Sequence, residues 1–317
     1  MALKIAMPSR NYKKIICEEA FQTLRDAGFE LVCNDAGRIL TREEQKEMIS
    51  DAYGIITGTE SYDADMLSAC QECKVICRLG VGTDNYDLKT MKEMGIQVGI
   101  ISNSNAVAEF ALMLILSAMK KLHKHDMGVR RGEWVRYDTN ELTGKTVGLV
   151  GYGRIAKRLS VLLRVFDTTI LAYDPYLTEE QAEVYGVKKV SFEELLIKSD
   201  VVSAHVPSTA ETFHMFNSET FDKMKDGAYF INTSRGTLVD EAALYQALQS
   251  GKLSGAGIDV YEHEPVTADN PLFTLDNIVC TPHCAALTAE TNYNAGMICA
   301  QSIINVLHGE KPLYPVG

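Results

Sequence analysis

His283 lies in the stretch NIVCTPHCAAL (277–287), after Thr-Pro and between Cys280 and Cys284. The apolar residues before it predict a buried strand, so this histidine follows the point where a strand gives way to a loop. Three roles are open to a histidine in this setting: a metal ligand beside two thiols, a buried core residue, or a group that exchanges protons near neutral pH. The residues that follow the neighbouring strands bear on the choice.

An arginine and a carboxylate follow two other predicted strands of the same half of the chain. Arg235 comes after AYFINTS and Glu264 after GAGIDVY. Because the carboxyl ends of parallel strands meet at one edge of a sheet, both are expected near His283. Arginine binds a carboxylate through two hydrogen bonds, and histidine moves protons, so the three indicate a site for proton transfer on an acid. Taken singly, each also has an ordinary explanation, such as a surface ion pair.

The same strand ends supply further polar candidates. Glu262 and His263, beside Glu264, are expected to be solvated turn residues. The other candidates for this edge of the sheet are His205, Pro207, Thr233, Ser234 and Asp259.

A glycine-rich turn opens this half of the chain. TVGLV (146–150) predicts a strand, and Gly151-Tyr152-Gly153-Arg154-Ile155-Ala156 leads into an amphipathic helix. In dinucleotide-binding folds the first glycine permits the tight bend and the second lets the backbone approach a pyrophosphate. A small third residue then allows the helix to pack closely on the strand. The N–H groups at the start of the helix face the phosphates.

Asp174 closes the next predicted strand, 23 residues after Gly151. An acid at this point accepts hydrogen bonds from the ribose hydroxyls of NAD and repels the 2′-phosphate of NADP. The alternative is a structural glycine turn with a solvent-facing Asp. We expect NAD as the cofactor, with Gly151, Gly153, Arg154, Ile155 and Asp174 at its site. Hydride transfer to a carbonyl carbon then requires a proton at the oxygen, a task that suits histidine.

The elements that position these residues alternate along the whole chain. Strand-like runs (KIAMP, FELVC, YGIITG, KVICRLG and IQVGII, then a second series from TVGLV) are separated by helix-compatible stretches. This pattern is typical of parallel sheets covered by helices. A long helix is predicted over 106–121. The expected fold class is therefore α/β, with two doubly wound parallel-sheet domains and a boundary near residue 101.

Composition argues against several classes of function. A net charge of −11 disfavours a nucleic-acid partner, because binding phosphates depends on Lys and Arg. No apolar run reaches the roughly 20 residues that a membrane span needs. The first residues lack a secretory signal, so a cytoplasmic location with eight reduced cysteines is expected. Cys70, Cys73 and Cys77 have no fourth ligand nearby, so free thiols are expected and no metal site.

The sequence resembles the D-isomer-specific 2-hydroxyacid dehydrogenases along nearly its whole length. The resemblance implies a flavodoxin-like substrate-binding domain built from 1–101 and 289–317, and a Rossmann NAD-binding domain at 102–288. The matching blocks, in chain order, are LGVGTDNYD (79–87), NAVAEFAL (105–112), RRGEW (130–134), GKTVGLVGYGRIA (144–156), INTSRGTLVDEAAL (231–244), GAGIDVYEHEP (255–265) and TPHCAALT (281–288).

The resemblance also implies catalytic roles for individual residues. Arg235 holds the substrate carboxylate and keto oxygen, while the backbone N–H groups of Val81 and Gly82 receive the same carboxylate. His283 is the acid and base, and Glu264 hydrogen-bonds to this histidine and tunes it.

Cofactor contacts and assembly are implied in the same way. Asp259 approaches the nicotinamide amide, Thr233 and Pro207 lie near the cofactor, and Ser234 is assigned to that site with them. The helix near 106–121 resembles the interdomain helix through which the family forms dimers, so a homodimer is expected.

The loop ITGTESYD (56–63) leaves the substrate open. The chain resembles a phosphoglycerate dehydrogenase-like branch, in which this loop carries an Arg-Ser-x-Thr-Lys run that meets the substrate phosphate. Here Thr57 and Ser61 stand at the corresponding positions with Glu60 between them, and no charge-assisted donor for a phosphate is evident. 3-Phosphoglycerate is one candidate substrate; hydroxypyruvate, glyoxylate and other 2-keto acids are the others.

The sequence departs from the family pattern at two further points, and two other functions stay open. Ala285 replaces the family's usual glycine, and the sequence ends at residue 317, which leaves no room for a regulatory C-terminal domain. The alternative functions are an NAD(H)-sensing protein-binding module and a phosphite- or formate-type dehydrogenase of the same fold.

Overall fold

The computed structural model describes residues 2–10, 12–101 and 104–316. The chain divides into two compact units, Met1–Asn103 with Leu287–Gly317 and Ser104–Ala286. The domain boundary expected after residue 101 adjoins residues 102 and 103, which lie outside the described residues, as do the two terminal residues of the expected substrate domain.

Strands and helices alternate through both units. The strands are β1 Leu3–Met7, β2 Phe29–Cys33, β3 Ala52–Thr57, β4 Val75–Arg78, β5 Gln97–Gly99, β6 Thr146–Val150, β7 Thr169–Tyr173, β8 Lys188–Lys189, β9 Val201–Ala204, β10 Ala228–Asn232, β11 Leu253–Ile258, β12 Ile278–Cys280 and β13 Pro315–Val316. The α-helices are α1 Tyr12–Ile15, α2 Glu18–Asp26, α3 Arg42–Ile49, α4 Ala64–Leu67, α5 Leu88–Glu93, α6 Ser104–Met119, α7 Leu122–Arg130, α8 Arg154–Leu163, α9 Glu179–Val184, α10 Phe192–Lys198, α11 Ser218–Lys223, α12 Glu241–Gln249 and α13 Ala289–Leu307.

The first unit contains a six-stranded sheet in the order β13-β5-β4-β3-β1-β2. The strands β1 to β5 are parallel and have the flavodoxin-like order, and β13 adds an antiparallel edge through the pair Pro315 and Gly99. Side chains of β3 alternate between two apolar cores: Ile56 packs with α13, and Ile55 packs with α4 and α5. Helices therefore cover both faces of the sheet.

The second unit contains a seven-stranded parallel sheet in the order β12-β11-β10-β9-β6-β7-β8. This is the Rossmann order, in which the chain reverses direction across the sheet beside β6. One apolar core includes residues of α6 and α8, and the other includes residues of α10, α11 and α12. The predicted fold class, two doubly wound parallel-sheet domains, is confirmed.

The long apolar helix differs from its predicted bounds. α6 covers Ser104–Met119 rather than 106–121. Lys121 has φ of 49°, a left-handed conformation through which an α-helix cannot continue, and α7 starts at the next residue. None of the helices in the described part of the chain is long and apolar enough to cross a membrane.

Gly148 shows how closely a helix approaches the central strand β6. A Cβ atom at this position would lie 2.4 Å from Ser199 Oγ and 2.5 Å from a methyl carbon of Leu195 in α10. Real Cβ atoms essentially never come this close to other heavy atoms. The missing side chain of Gly148 is therefore what allows α10 and the residue after it to pack on the strand.

Replacing Gly148 with Ala should lower the free energy of unfolding by about 1–3 kcal/mol, because the added methyl group overpacks a tight core. Urea unfolding followed by circular dichroism measures the change. Gly128→Ala is the matched control: its Cβ would meet nothing nearer than 3.6 Å, and it lies inside α7. The account is contradicted if both variants unfold at the same urea concentration as the original protein.

Candidate active site

The glycine-rich turn connects β6 to α8. Gly151 has φ of 88°, and a Cβ on it would lie 2.7 Å from the carbonyl carbon and oxygen of His205. Only glycine satisfies both the backbone angle and the close approach. Gly153 is the N-cap of α8, and a Cβ there would meet nothing within 4 Å. The turn therefore leaves open space beside Gly153, at the start of α8.

Asp174 ends β7 beside this turn. Its carboxylate accepts hydrogen bonds from Tyr152 N–H and Tyr176 N–H, both at 2.8 Å. A cavity of about 450 Å³ lies next to it, and its walls include Lys189 and Val190. Asp174 is thus fixed at the mouth of a cavity and keeps lone pairs for further donors.

His283 and Glu264 form a hydrogen-bonded pair. His283 Nδ1 lies 2.7 Å from Glu264 Oε2, and the other oxygen, Oε1, accepts from Tyr261 N–H at 3.0 Å. About half of the histidine side chain (52%) is exposed. Since Nδ1 contacts the carboxylate, Nε2 is the ring nitrogen that can exchange a proton with a bound substrate.

The carboxylate of Glu264 stays charged in this environment. Partial burial raises the pKa of Glu264, but the hydrogen bonds from His283 and Tyr261 N–H and the charge of Arg235 outweigh it, so the pKa lies below its usual range. The charged carboxylate accepts the hydrogen bond from Nδ1 and holds the imidazole ring in one orientation.

Asp259 holds the loop that carries His283. Its carboxylate is fully buried at the end of β11 and accepts from Thr281 Oγ1 at 2.6 Å, Cys284 N–H at 2.9 Å and Ala285 N–H at 2.8 Å. The Asp259 carbonyl accepts from His283 N–H at 2.7 Å. A buried charge needs such donors, so the loop is bound tightly to this side chain. The expected contact of Asp259 with the nicotinamide amide stays a prediction.

The loop after β10 is organised by Asn232. This buried side chain donates to the Arg235 carbonyl at 2.8 Å and accepts from Ser234 N–H at 3.0 Å. Ser234 Oγ donates to the Val206 carbonyl at 2.5 Å, which joins the ends of β9 and β10. Arg235 is therefore presented on a braced turn, and its charge acts on Glu264.

His205, His214 and His263 also lie in the segments that follow these strands. His205 follows β9, its Nε2 lies 2.9 Å from Ser203 Oγ, and burial lowers its pKa to about 4. With so low a pKa, His205 carries no proton to donate near neutral pH and is poorly suited to act as the acid. His214 Nε2 lies 2.8 Å from Glu262 Oε1. Glu262 is thus partly buried and paired instead of being the solvated turn residue that the sequence suggests, whereas His263 is exposed.

Several functional-site residues escaped the sequence analysis. Asn232 holds the backbone of Arg235, and Tyr261 N–H holds Glu264. Thr281 binds Asp259, which holds the loop that carries His283. Two of these contacts involve backbone groups, the carbonyl of Arg235 and the N–H of Tyr261, and such contacts are hard to predict from residue types. Only Asn232, an Asx-type residue directly after a buried strand, carries a sequence hint of a structured turn.

Val81 and Gly82 follow β4 in the first unit, where Val81 is partly exposed. Their expected contact with a substrate carboxylate stays a prediction.

The second unit has features that fit a dinucleotide. Gly153 leaves open space at the start of α8, and Asp174 borders a cavity. Thr233 Oγ1 is buried and has no hydrogen-bond partner among the described residues, a state that a bound polar group would relieve. Gly151, Gly153, Asp174 and Thr233 are therefore the residues suited to hold NAD.

The cysteines do not form a metal site in the part of the chain that the structure describes, where no three His, Cys, Asp or Glu side chains are grouped to hold an ion. Burial raises the pKa of the Cys70 thiol to about 11 and that of Cys73 further. Cys280 and Cys284, which flank the His283 loop, are free thiols.

Comparisons with known proteins identify the family. Residues 112–285 match the family model described as D-isomer specific 2-hydroxyacid dehydrogenase, NAD binding domain. A D-3-phosphoglycerate dehydrogenase of Archaeoglobus fulgidus is 40% identical over 299 residues, which are 93% of this chain. The match spans only 56% of that relative's length.

Two other relatives match over nearly their whole length. A glyoxylate reductase of Thermofilum pendens is 36% identical over 97% of this chain and 94% of its own. The crystal structure of a glyoxylate reductase from Paecilomyes thermophila has a TM-score of 0.89 at 28% identity, and the match covers 99% of this chain and 98% of that one. The chain therefore belongs to the family of D-isomer-specific 2-hydroxyacid dehydrogenases, as its sequence motifs predict.

Proposed function

We propose that the protein is an NAD-dependent oxidoreductase that interconverts a small D-2-hydroxy acid and its 2-keto acid. The observation that carries this proposal is the 2.7 Å contact between His283 and Glu264, on a loop that the buried Asp259 holds in place. A solvent-accessible histidine backed by a charged carboxylate is the arrangement that proton transfer at a carbonyl oxygen requires.

His283 is the acid and base of the proposed reaction. In keto-acid reduction its Nε2 donates a proton to the oxygen that becomes the hydroxyl group, and in the reverse direction it accepts that proton. Glu264 accepts the hydrogen bond from Nδ1 and so keeps Nε2 directed toward the substrate oxygen. Bound NADH supplies the hydride for reduction.

Arg235 binds the acid. Its guanidinium offers two parallel N–H donors to the substrate carboxylate and further positive charge to the keto oxygen. Because Asn232 fixes the backbone of this turn, the arginine is positioned before substrate arrives.

The substrate is a small 2-keto acid or its D-2-hydroxy acid. The relatives include phosphoglycerate dehydrogenases and glyoxylate reductases, which supports 3-phosphoglycerate and glyoxylate as candidates. Hydroxypyruvate and other 2-keto acids stay candidates from the sequence.

We also propose a homodimer. α6, to which the resemblance assigns the contact, buries much of its surface within its own unit, although Met113 is exposed. The segment after it leaves large apolar side chains exposed, among them Met127, Val129 and, at 79% exposure, Trp134. Large apolar side chains that stay exposed within so short a segment support a protein–protein contact there.

Replacing His283 with Asn should lower turnover by about 10²–10⁴, since the proton donor is lost. Asn is the informative substitution because His283 has φ of 52°, which Asn tolerates better than Ala. Steady-state kinetics with a reducible keto acid measures turnover, and fluorescence titration should show unchanged NADH affinity. Unchanged turnover would remove His283 from the mechanism.

Replacing Asp174 with Ala should lower the ratio of the NADPH dissociation constant to the NADH dissociation constant roughly tenfold or more, because a negative charge that repels the 2′-phosphate is lost. Fluorescence titration of both cofactors measures the ratio without any turnover. Asp174→Asn is the matched variant that removes the charge and keeps an oxygen for Tyr152 N–H. An unaltered ratio in both variants contradicts the ribose role.

Replacing Trp134 with Glu should raise the dimer dissociation constant at least about tenfold, because a buried aromatic residue contributes strongly to an interface. Sedimentation velocity measures the constant. Val165→Glu, at a position with the same 79% exposure, is the control and should leave association unchanged. Equal association of the two variants would place the contact elsewhere.

A further inference from the structure

Two loops leave the carboxyl edge of the first unit's sheet side by side. β3 and β4 pair in parallel, with Thr57 opposite Arg78, and Leu79 N–H donates to the Thr57 carbonyl at 2.8 Å. In open parallel sheets this edge is where ligands bind. The loops 58–61 and 79–82 are therefore neighbours at a binding edge.

Asn85, three residues after the loop 79–82, binds the loop 58–61. Its side-chain amide donates to the carbonyl oxygens of Thr59, at 3.1 Å, and Glu60, at 2.6 Å. The backbone carbonyl of Asn85 accepts from Ser61 Oγ at 3.2 Å and from Tyr62 N–H at 2.9 Å. A small acid whose carboxylate rests on the N–H groups of Val81 and Gly82 would thus carry its side group beside the loop 58–61.

Glu60 occupies the donors of that loop with its own carboxylate. Glu60 Oε2 accepts from the buried Thr57 Oγ1 and from Gly58 N–H, both at 2.7 Å. A Cβ on Gly58 would lie 3.4 Å from this oxygen and 3.0 Å from Ser9 Oγ, which follows β1. A hydroxyl and a backbone N–H converging on one point form an anion-binding arrangement, and here the anion is part of the chain.

The neighbouring cation, Arg78, makes its contacts within the same unit, although its buried Nε has no hydrogen-bond partner among the described residues. Arg78 donates from Nη1 to Asn85 Oδ1, and its guanidinium lies over the ring of Tyr86 at 5.4 Å from the centroid. Its charge is directed toward Asn85 and Tyr86, so it does not neutralise Glu60 through a direct hydrogen bond. An incoming anionic side group would meet the negative charge of Glu60 at donors that are already used.

We propose that Glu60 selects against substrates whose side group is anionic and directs the enzyme to 2-keto acids with small uncharged side groups. This inference rests on the proposed function and on the expected carboxylate contact at Val81 and Gly82. It sets phosphorylated acids apart from the hydroxypyruvate and glyoxylate type. The selection acts through an unfavourable interaction with the wrong substrate, which is an effective source of specificity.

The test compares hydroxypyruvate with phosphohydroxypyruvate, two substrates that differ by one phosphate. The full-length protein and its Glu60→Gln variant are assayed for kcat/KM on each, with NADH. The amide oxygen of Gln can still accept from Thr57 and Gly58, so the loop keeps its shape while the charge is lost. Glu93→Gln is the control. Glu93 is an exposed acid at the end of α5, just before β5 begins, and so lies toward the amino ends of the strands, away from the loops 58–61 and 79–82.

The original protein should prefer hydroxypyruvate. Glu60→Gln should shift the ratio of the two kcat/KM values toward the phosphorylated substrate by at least about tenfold, since a like charge is removed at close range, and Glu93→Gln should leave the ratio unchanged. An active protein whose ratio is the same in Glu60→Gln, or which prefers the phosphorylated substrate from the start, overturns the inference and leaves the proposed function intact. A protein that reduces no 2-keto acid overturns both.

Discussion

The carboxylate of Asp259 is buried directly after β11. It accepts hydrogen bonds from Thr281 and from the N–H groups of Cys284 and Ala285. A carboxylate without such partners is strongly disfavoured in a protein interior, so the chain after β12 must wrap around it. That constraint holds the backbone of His283 in a left-handed conformation, which costs a non-glycine residue about 1–2 kcal/mol. The histidine then meets Glu264, and Glu264 in turn is fixed by Tyr261 N–H.

The site is thus assembled from the ends of several strands of one sheet. β6 and β7 supply the glycine-rich turn and Asp174, β10 supplies Arg235, and the segments after β11 and β12 supply Glu264 and His283. The end of β10 is braced by Asn232, a polar side chain that takes no part in the proposed chemistry. Rigid strand ends position the reacting groups more accurately than long loops would. The first unit, by contrast, offers the loops in which substrate selection by Glu60 is proposed.

Much of this arrangement is readable from the sequence. Apolar runs between helix-compatible stretches predict the main strands of both sheets, and the motif from Gly151 to Ala156 predicts the turn that follows β6. The two-residue strands β8 and β13 are not predicted from the sequence, because two residues are too few to show a periodic pattern. The break after α6 is also not predicted, since nothing in Lys121 signals a left-handed backbone. The pairing of Glu262 with His214 depends on two loops meeting in space, which local sequence does not encode.

The central claim is that this site reduces 2-keto acids with NADH by protonation from His283, giving the D product. The most direct measurement incubates the protein with NADH and a panel of glyoxylate, pyruvate, hydroxypyruvate, 2-ketoisocaproate and phosphohydroxypyruvate, and follows NADH absorbance and the chirality of the product. The account predicts that NADH is consumed in proportion to the keto acid and that each chiral product is the D-2-hydroxy acid. No consumption of NADH with any member of the panel, or an L product, would contradict it.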